Sequence, residues 1–436
     1  MAAALPRGFS TAYKRARSQD GLTPLASPPV LKATKLEDEV AQDNSRLPGF
    51  LRQSQNEIRV KFNDLAWKEK LRIYQGRLDP NSEWAQDIGP QVTKRNRYAN
   101  VQPWSKSRVH LKVVEGNSDY INASPISLQD PRTGVETNYI ATQGPKINGL
   151  SHFWHMVCAE TSYVAVIVMR SQTHDGSMEK CYQYFPLSAE AGAYYVEPID
   201  KENSSPEGSV TFLETVSDPD SKTEIRRLSL QFGDDTKEIW HFLYAGWPDF
   251  ALPEDEDRAA LLELVKHSAE KNSSPSNPRI IHCSAGVGRS GTFIALEYLL
   301  AQIESGAMAD AKEGEDPIYD VVNRLREQRM LMVQMDIQYE FLYDVVKEKF
   351  IEWQTHLALQ TGSTQHSPKL RKLASGMKSA ITGIGNNEGD GYFVNEETNG
   401  THRGDENQSE DAKTTRSRGE SQVEERKREG QDPRVK

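Results

Sequence analysis

Long apolar runs are missing from this chain. The longest, Tyr163 to Met169, falls far short of the roughly 20 residues that cross a bilayer as a helix. Met1 to Asp20 contains no apolar core of a secretory leader. Cysteine is scarce as well. Cys158, Cys181 and Cys283 are the whole set, too few for a disulfide framework and without the paired spacing of a zinc site. Such usage points to a reducing compartment. Basic charge is in deficit, with 53 Lys and Arg against 63 Asp and Glu and a net charge of −10. That balance argues against a duplex nucleic-acid binder, which would show a basic footprint. Apolar residues are only 36% of the 436, and mean hydropathy is −0.69. A chain this polar does not pack over its whole length.

The shortage of apolar residues is concentrated at the ends. From Asn395 to Lys436 the only ones are Ala412, Val423 and Val435. Such a segment buries too little surface to offset its chain entropy. Thr23 to Pro29 holds three prolines, and no apolar periodicity precedes about Gln55. The expected division is a disordered arm over 1–54, a packed domain over 55–357 and a disordered polar tail over 358–436. Met1 to Gln19 carries Arg7, Lys14, Arg15 and Arg17 and no acid, a pattern similar to a mitochondrial presequence. Pro6 and Gly8 interrupt any amphipathic helix there, and a plain disordered arm is the other reading.

The middle piece alternates helix and strand patterns. Ile58, Phe62, Leu65 and Leu71 predict an amphipathic helix, and Phe153, Trp154 and Val157 a short one. Tyr163 to Met169 reads as a strand buried on both faces. Arg226 to Phe232 and Ile239 to Tyr244 alternate as half-buried strands do. Glu254 to Asp257 place acid at the start of a helix that ends in Lys266, His267 and Lys271, matching the helix dipole. Arg279 to His282 is a short strand, and Thr292 to Ile303, Pro317 to Arg329 and Asp336 to Trp353 are helices. Interleaved in this way, they predict an α/β domain with a twisted mixed central sheet flanked by helices.

The stretch from Arg279 to Phe293 carries the most chemistry. A strand leads into His282 and Cys283; Ser284, Ala285, Gly286, Val287 and Gly288 follow; then comes Arg289, and a helix opens at about Ser290. Gly286 and Gly288 let a short loop turn its N–H groups inward, making an anion nest at a helix N-terminus. Arg289 offers a planar fork for two oxygens of a phosphate. Cys283 at the base of this positive cradle would be held as a thiolate, placed to attack phosphorus. A nucleotide-binding P-loop is excluded, because no Gly-Lys-Ser/Thr stands at the required spacing.

This loop resembles the signature loop of phosphotyrosine-specific, non-receptor protein tyrosine phosphatases. The resemblance continues through Trp247-Pro248-Asp249, Asn96-Arg97-Tyr98, Asp119 to Ala123, Tyr139 to Pro145, Lys180-Cys181 with Tyr184 and Pro186, and Gln334 with Gln338. These stretches run in the family's order over about residues 60 to 350. The resemblance implies Cys283 as nucleophile through a phosphocysteine, Arg289 as the phosphate-binding group and Asp249 as general acid and then base. It implies that Ser290 assists release of the sulfur, that His282 orders the loop, and that Gln334 and Gln338 position the attacking water. Tyr98 would stack on the substrate ring. Substrates would be phosphotyrosyl proteins. A phosphorylated kinase is one candidate, since Lys14 to Arg17 followed by Leu22 and Leu25 is similar to a kinase-docking segment. Neither metal nor organic cofactor is implied, and the expected location is cytoplasmic, with the nucleus a further option.

Some positions depart from the family. Asn100 stands where Asp is usual, Ala99 where a base is frequent, and Ala251 where glycine follows the Trp-Pro-Asp-Phe run. The usual acidic residue ahead of Lys180-Cys181 is either Asp175 or Glu179. Two other classes compete with this reading: a phosphotyrosine-binding pseudophosphatase, opposed by the intact Cys283, Arg289 and Asp249, and a dual-specificity or phosphoinositide phosphatase, opposed by the Tyr98 loop.

Overall fold

The computed structural model describes residues 47–200, 205–247, 252–253 and 255–360. The expectations for most of the tail, for most of the arm, and for Pro248, Asp249, Ala251 and Glu254 lie outside the described residues; residues 358–360 continue the last helix.

Packing begins before the first long helix. A single 3₁₀ turn, Gly49–Arg52, puts Phe50 and Leu51 into the core beside Leu47. The packed domain therefore starts ahead of the boundary expected at 54/55. A run this short shows no periodicity, so its burial left no pattern to read.

Helix α1 spans Gln55–Leu78. Ser54 starts it with a reciprocal cap: the Glu57 N–H donates to Ser54 Oγ at 3.4 Å, and the Ser54 N–H donates to Glu57 Oε2 at 2.8 Å. Ile58, Phe62, Leu65, Glu69 and Arg72 face the domain. Leu71 does not. It points outward, contrary to the expected stripe.

Seven further elements lead to the sheet's centre: α2 (Pro90–Arg95), β1 (Ala123–Gln129), β2 (Glu136–Thr142), α3 (Leu150–Glu160), β3 (Val164–Met169), β4 (Tyr194–Val196) and β5 (Gly208–Asp218). After them come β6 (Thr223–Phe232), β7 (Asp235–Tyr244), α4 (Asp255–Glu270), β8 (Arg279–His282), α5 (Gly288–Ser305), α6 (Pro317–Gln328) and α7 (Asp336–Gln360). The sheet has eight strands in the order β1-β2-β8-β3-β7-β6-β5-β4. Its centre is parallel, with Ile280 of β8 opposite Ile140 of β2 and Ile167 of β3, and both edges are antiparallel. Strand β3 starts at Val164 rather than Tyr163, whose ring is exposed.

Side-chain alternation splits the core into two. Ala141, Val166, Val168 and Ile281 face one side with α5, α6 and α7, while Ile140, Ala165, Ile167 and Ile280 face the other with α3. The central parallel strands thus carry continuous apolar runs, as strands covered on both faces must. The C-terminal end of β8 opens between β2 and β3, the place where such sheets hold their ligands. Among the described residues, no helix is long and apolar enough to cross a membrane.

Candidate active site

The turn from β8 into α5 makes the base of the site. Gly286 has φ 72°, and a Cβ there would overlap the Thr142 carbonyl, so no other residue fits. The loop carbonyls are drawn outward by Arg329, which is fully buried. Its guanidinium donates to Gly286 O at 2.8 Å, Ala285 O at 3.2 Å and Asn122 Oδ1 at 2.8 Å. With the carbonyls turned away, the N–H groups face the other side. The Gly286 N–H reaches Cys283 Sγ at 3.2 Å.

Cys283 is buried at the foot of a cavity of about 200 Å³. Burial alone would push its thiol up. The Arg289 charge, the hydroxyl and N–H of Ser290 and the N–H of Gly286 together outweigh burial and hold it below the ordinary cysteine range. Ser290 Oγ is buried and, among the described residues, has no partner other than this sulfur. The remaining thiols go the other way: burial pushes Cys181 up to about 12 and raises Cys158.

The cavity brings together Tyr98, Asn100, Cys283, Ser284, Ala285, Gly288, Arg289, Gln334 and Gln338 from well-separated parts of the chain. Tyr98 OH and Ser284 Oγ lie 2.8 Å apart, and Ser284 Oγ donates to Lys180 O at 2.9 Å. Gln338 is buried and accepts the Met335 N–H at 3.2 Å, whereas Gln334 is exposed. His282, Val287 and Ser290 are buried behind the cavity and do not line it. Asp249 lies outside the described residues. Its neighbour Trp247 is described, and Trp247 O accepts Arg289 Nη1 at 3.0 Å.

The two rival acids take different partners. Glu179 Oε1 meets both terminal nitrogens of Arg97 at 3.1 Å, and Arg97 also donates to Gly144 O and Pro145 O, fixing the turn that carries Tyr98. Asp175 pairs with Lys180 at 3.6 Å. Asp175 and Lys180 line an adjoining cavity of about 260 Å³ that also reaches Arg289.

Behind the loop lies a buried polar chain. His282 Nε2 is 2.7 Å from Tyr184 OH, which is 2.8 Å from His241 Nε2. Burial pushes His282 down to about 4 and His241 well below the usual imidazole value, so both rings are neutral.

Lys180, from the Lys180-Cys181 stretch, also lines the cavity. Two residues of the site were not singled out by motif: Arg329 supports the loop, and Arg170 fills the space behind it. Arg170 sits between the rings of Trp247 and Phe293, 4.4 and 4.8 Å from their centroids, and donates to Arg289 O at 3.0 Å. It follows the strand Val164–Met169 directly, and a lone arginine after a buried strand is the one local sign that a charge is kept inside for a reason.

Comparison with known proteins agrees with this geometry. Residues 92–348 match the family model described as protein-tyrosine phosphatase. Tyrosine-protein phosphatase 1 of Saccharomyces cerevisiae is 34% identical over 330 residues, covering 69% of this chain and 96% of that protein. Tyrosine-protein phosphatase 1 of Schizosaccharomyces pombe is 32% identical over 281 residues, covering 62% of this chain but only 47% of its own length. A solved structure of PTPN18 in complex with HER2 phosphor-peptides superposes with a TM-score of 0.55 at 26% identity, over 67% of this chain and 99% of that one.

Proposed function

The chain belongs to the protein-tyrosine phosphatase family, and on that premise we propose that it hydrolyses phosphotyrosine on proteins through a phosphocysteine at Cys283. The observation that carries the reading is the Cys283 thiol, held below its ordinary range at the foot of a cavity that an arginine and a helix N-terminus make positive.

In this reading Cys283 Sγ attacks phosphorus, and the bond from phosphorus to the tyrosine oxygen breaks. Asp249 gives that oxygen its proton. Arg289 and the loop N–H groups take up charge on the phosphoryl oxygens, which is where most of the stabilisation in phosphoryl transfer is needed. Gln334, with Gln338 behind it, orients a water. Asp249 takes the water's proton as the oxygen joins phosphorus and the thiolate leaves, and the Ser290 hydroxyl receives the returning negative charge on sulfur. Tyr98 stacks on the substrate ring and sets the depth of the pocket. Asn100 at the rim offers a single neutral acceptor to the substrate backbone, a weaker grip than a carboxylate.

Phosphotyrosyl proteins, a phosphorylated kinase among them, are the substrates in this reading, and the role is in signalling. The PTPN18 structure with phosphor-peptides supports that substrate class by analogy. A cytoplasmic setting suits a thiolate nucleophile, which survives only where thiols are kept reduced.

Phosphate release from phosphotyrosyl peptide, phosphoseryl peptide and phosphoinositide tests the reading. Only the phosphotyrosyl peptide should turn over, and Cys283→Ser should abolish that turnover while leaving the peptide bound. Asp249→Ala should slow it by ~10²–10⁴-fold. Turnover in the Cys283→Ser enzyme, or equal rates on all three substrates, would overturn it.

A further inference from the structure

We propose that the outer face of α1 is a docking surface for an acidic amphipathic helix of a partner protein. A helix this long ordinarily shows one apolar face; α1 shows two. The inner face, Ile58, Phe62 and Leu65, meets the domain. The outer face carries Val60, Trp67, Leu71, Tyr74 and Leu78, each between 42% and 67% exposed. Their intervals of seven, four, three and four residues are those of alternating core positions in a coiled coil. From Val60 to Leu78 the line is about 27 Å long, roughly two and a half heptads. The helix lies outside the matched family region of residues 92–348.

Charge identifies the occupant. On one side of the line stand Asn63, Lys70 and Arg77; on the other stand Gln75 with Lys61 and Lys68, which are paired with Asp316 at 2.6 Å and with Asp64 at 3.5 Å. This basic edge belongs to a chain whose net charge is −10. A second copy would set Lys70 and Arg77 against flank positions that hold no Asp or Glu of their own. A partner helix with Glu or Asp along the flank that meets Lys70 and Arg77 would find opposite charge there. The seam is narrow, and Asp64 stands within it, held by Lys68 at 3.5 Å and by the Tyr319 hydroxyl. A hydrocarbon interior would reject that carboxylate. Opposite a helix it is a polar core position that fixes register.

The full chain can be titrated with a labelled helical peptide of about 21 residues, Leu at its core positions and Glu at both flanks. The control peptide carries Lys at those flanks. The acidic peptide should bind with Kd below about 10 μM, the Lys peptide at least tenfold more weakly, and salt should weaken the former. Leu71→Glu and Tyr74→Glu should each weaken the acidic peptide at least tenfold, with turnover of an aryl phosphate unchanged as the check on folding. Equal binding of the two peptides, no binding, or binding that survives both variants would overturn the proposal. So would dimerisation of the chain by ultracentrifugation that Leu71→Glu abolishes, which would assign the seam to a second copy. Binding to phosphatidylserine vesicles that Leu71→Glu abolishes would assign it to a lipid surface and overturn the proposal equally.

Discussion

The loop from Cys283 to Arg289 and the loop from Met330 to Gln334 line one cavity, and they are held in contrasting ways. The first takes its one left-handed residue as glycine, Gly286 at φ 72°. The second has two, Leu331 at φ 59° and Val333 at φ 56°, and neither is glycine. A left-handed β-branched residue is strained by roughly 1–2 kcal/mol, so something outside the loop must hold it. Arg326 donates to Met332 O at 3.0 Å and to Val333 O at 2.8 Å. Glu69 of α1 accepts the Leu331 N–H at 3.1 Å, and Val333 N–H donates to Val287 O at 3.2 Å. The anion-binding loop gets its left-handed turn from its own glycine; the loop that presents Gln334 is shaped by buried charges on two helices.

If that contrast is right, changing Gly286 should do the most damage. Gly286→Ala forces a Cβ against the Thr142 carbonyl in a left-handed conformation. Turnover of a phosphotyrosyl peptide should fall by ~10²-fold or more, because a displacement of about 1 Å near the reacting atoms costs that much. Chemical denaturation should show about 1–3 kcal/mol of lost stability. Near-normal kinetics would mean the loop does not need its glycine.

The second loop should respond through Glu69, and with a pH signature. Burial raises its pKa from 4.5 to about 7, and among the described residues Oε2 has no hydrogen-bond partner. The folded state thus binds this proton more tightly than the unfolded chain does. Its contribution is full below pH 4.5 and is lost as pH rises through about 7. Glu69→Gln keeps a neutral acceptor for Leu331. It should be more stable than wild type at pH 8 by about 1–3 kcal/mol, with the gap closing towards pH 5. Urea melts at the two pH values decide it; a gap that does not change with pH would remove the charge from the account.

The smallest effect is expected at Gln334, which the second loop presents but does not depend on. Gln334→Ala should leave the fold intact and lower kcat about tenfold, at the low end of what positioning of a reactant is worth. Rapid-mixing kinetics with an aryl phosphate should then show a burst of aryl alcohol before a slow steady state, as breakdown of the intermediate lags. A uniform slowing without a burst would place the residue before that step.

The same contrast explains what could be read in the sequence. Strand β8, its loop and α5 occupy one contiguous stretch, with an apolar run, glycine and a helix start in order, so their arrangement was legible. The strand β3 was legible because it is buried on both faces. Strand β5 was not, since Gly208–Asp218 is largely exposed and its alternation is weak. Leu71 followed the helical period yet faces outward, because periodicity does not say which of two apolar faces finds a partner. Arg329 and Glu69 escaped notice because their partners are far along the chain: Glu69 and Leu331 are 262 residues apart. No local pattern encodes such a pair.

The buried chain behind Cys283 has a direction. His282 Nδ1 lies 3.3 Å from the Cys283 carbonyl, which can only accept, so the proton of this neutral ring is on Nδ1. Its Nε2 is then a lone pair, and the Tyr184 hydroxyl must spend its one proton there. The phenol oxygen is left to receive an N–H from His241 Nε2, which makes the far nitrogen of His241 an acceptor, and among the described residues that atom has no partner. The two imidazoles are therefore opposite tautomers, and every bond in the row donates towards the peptide of the nucleophile.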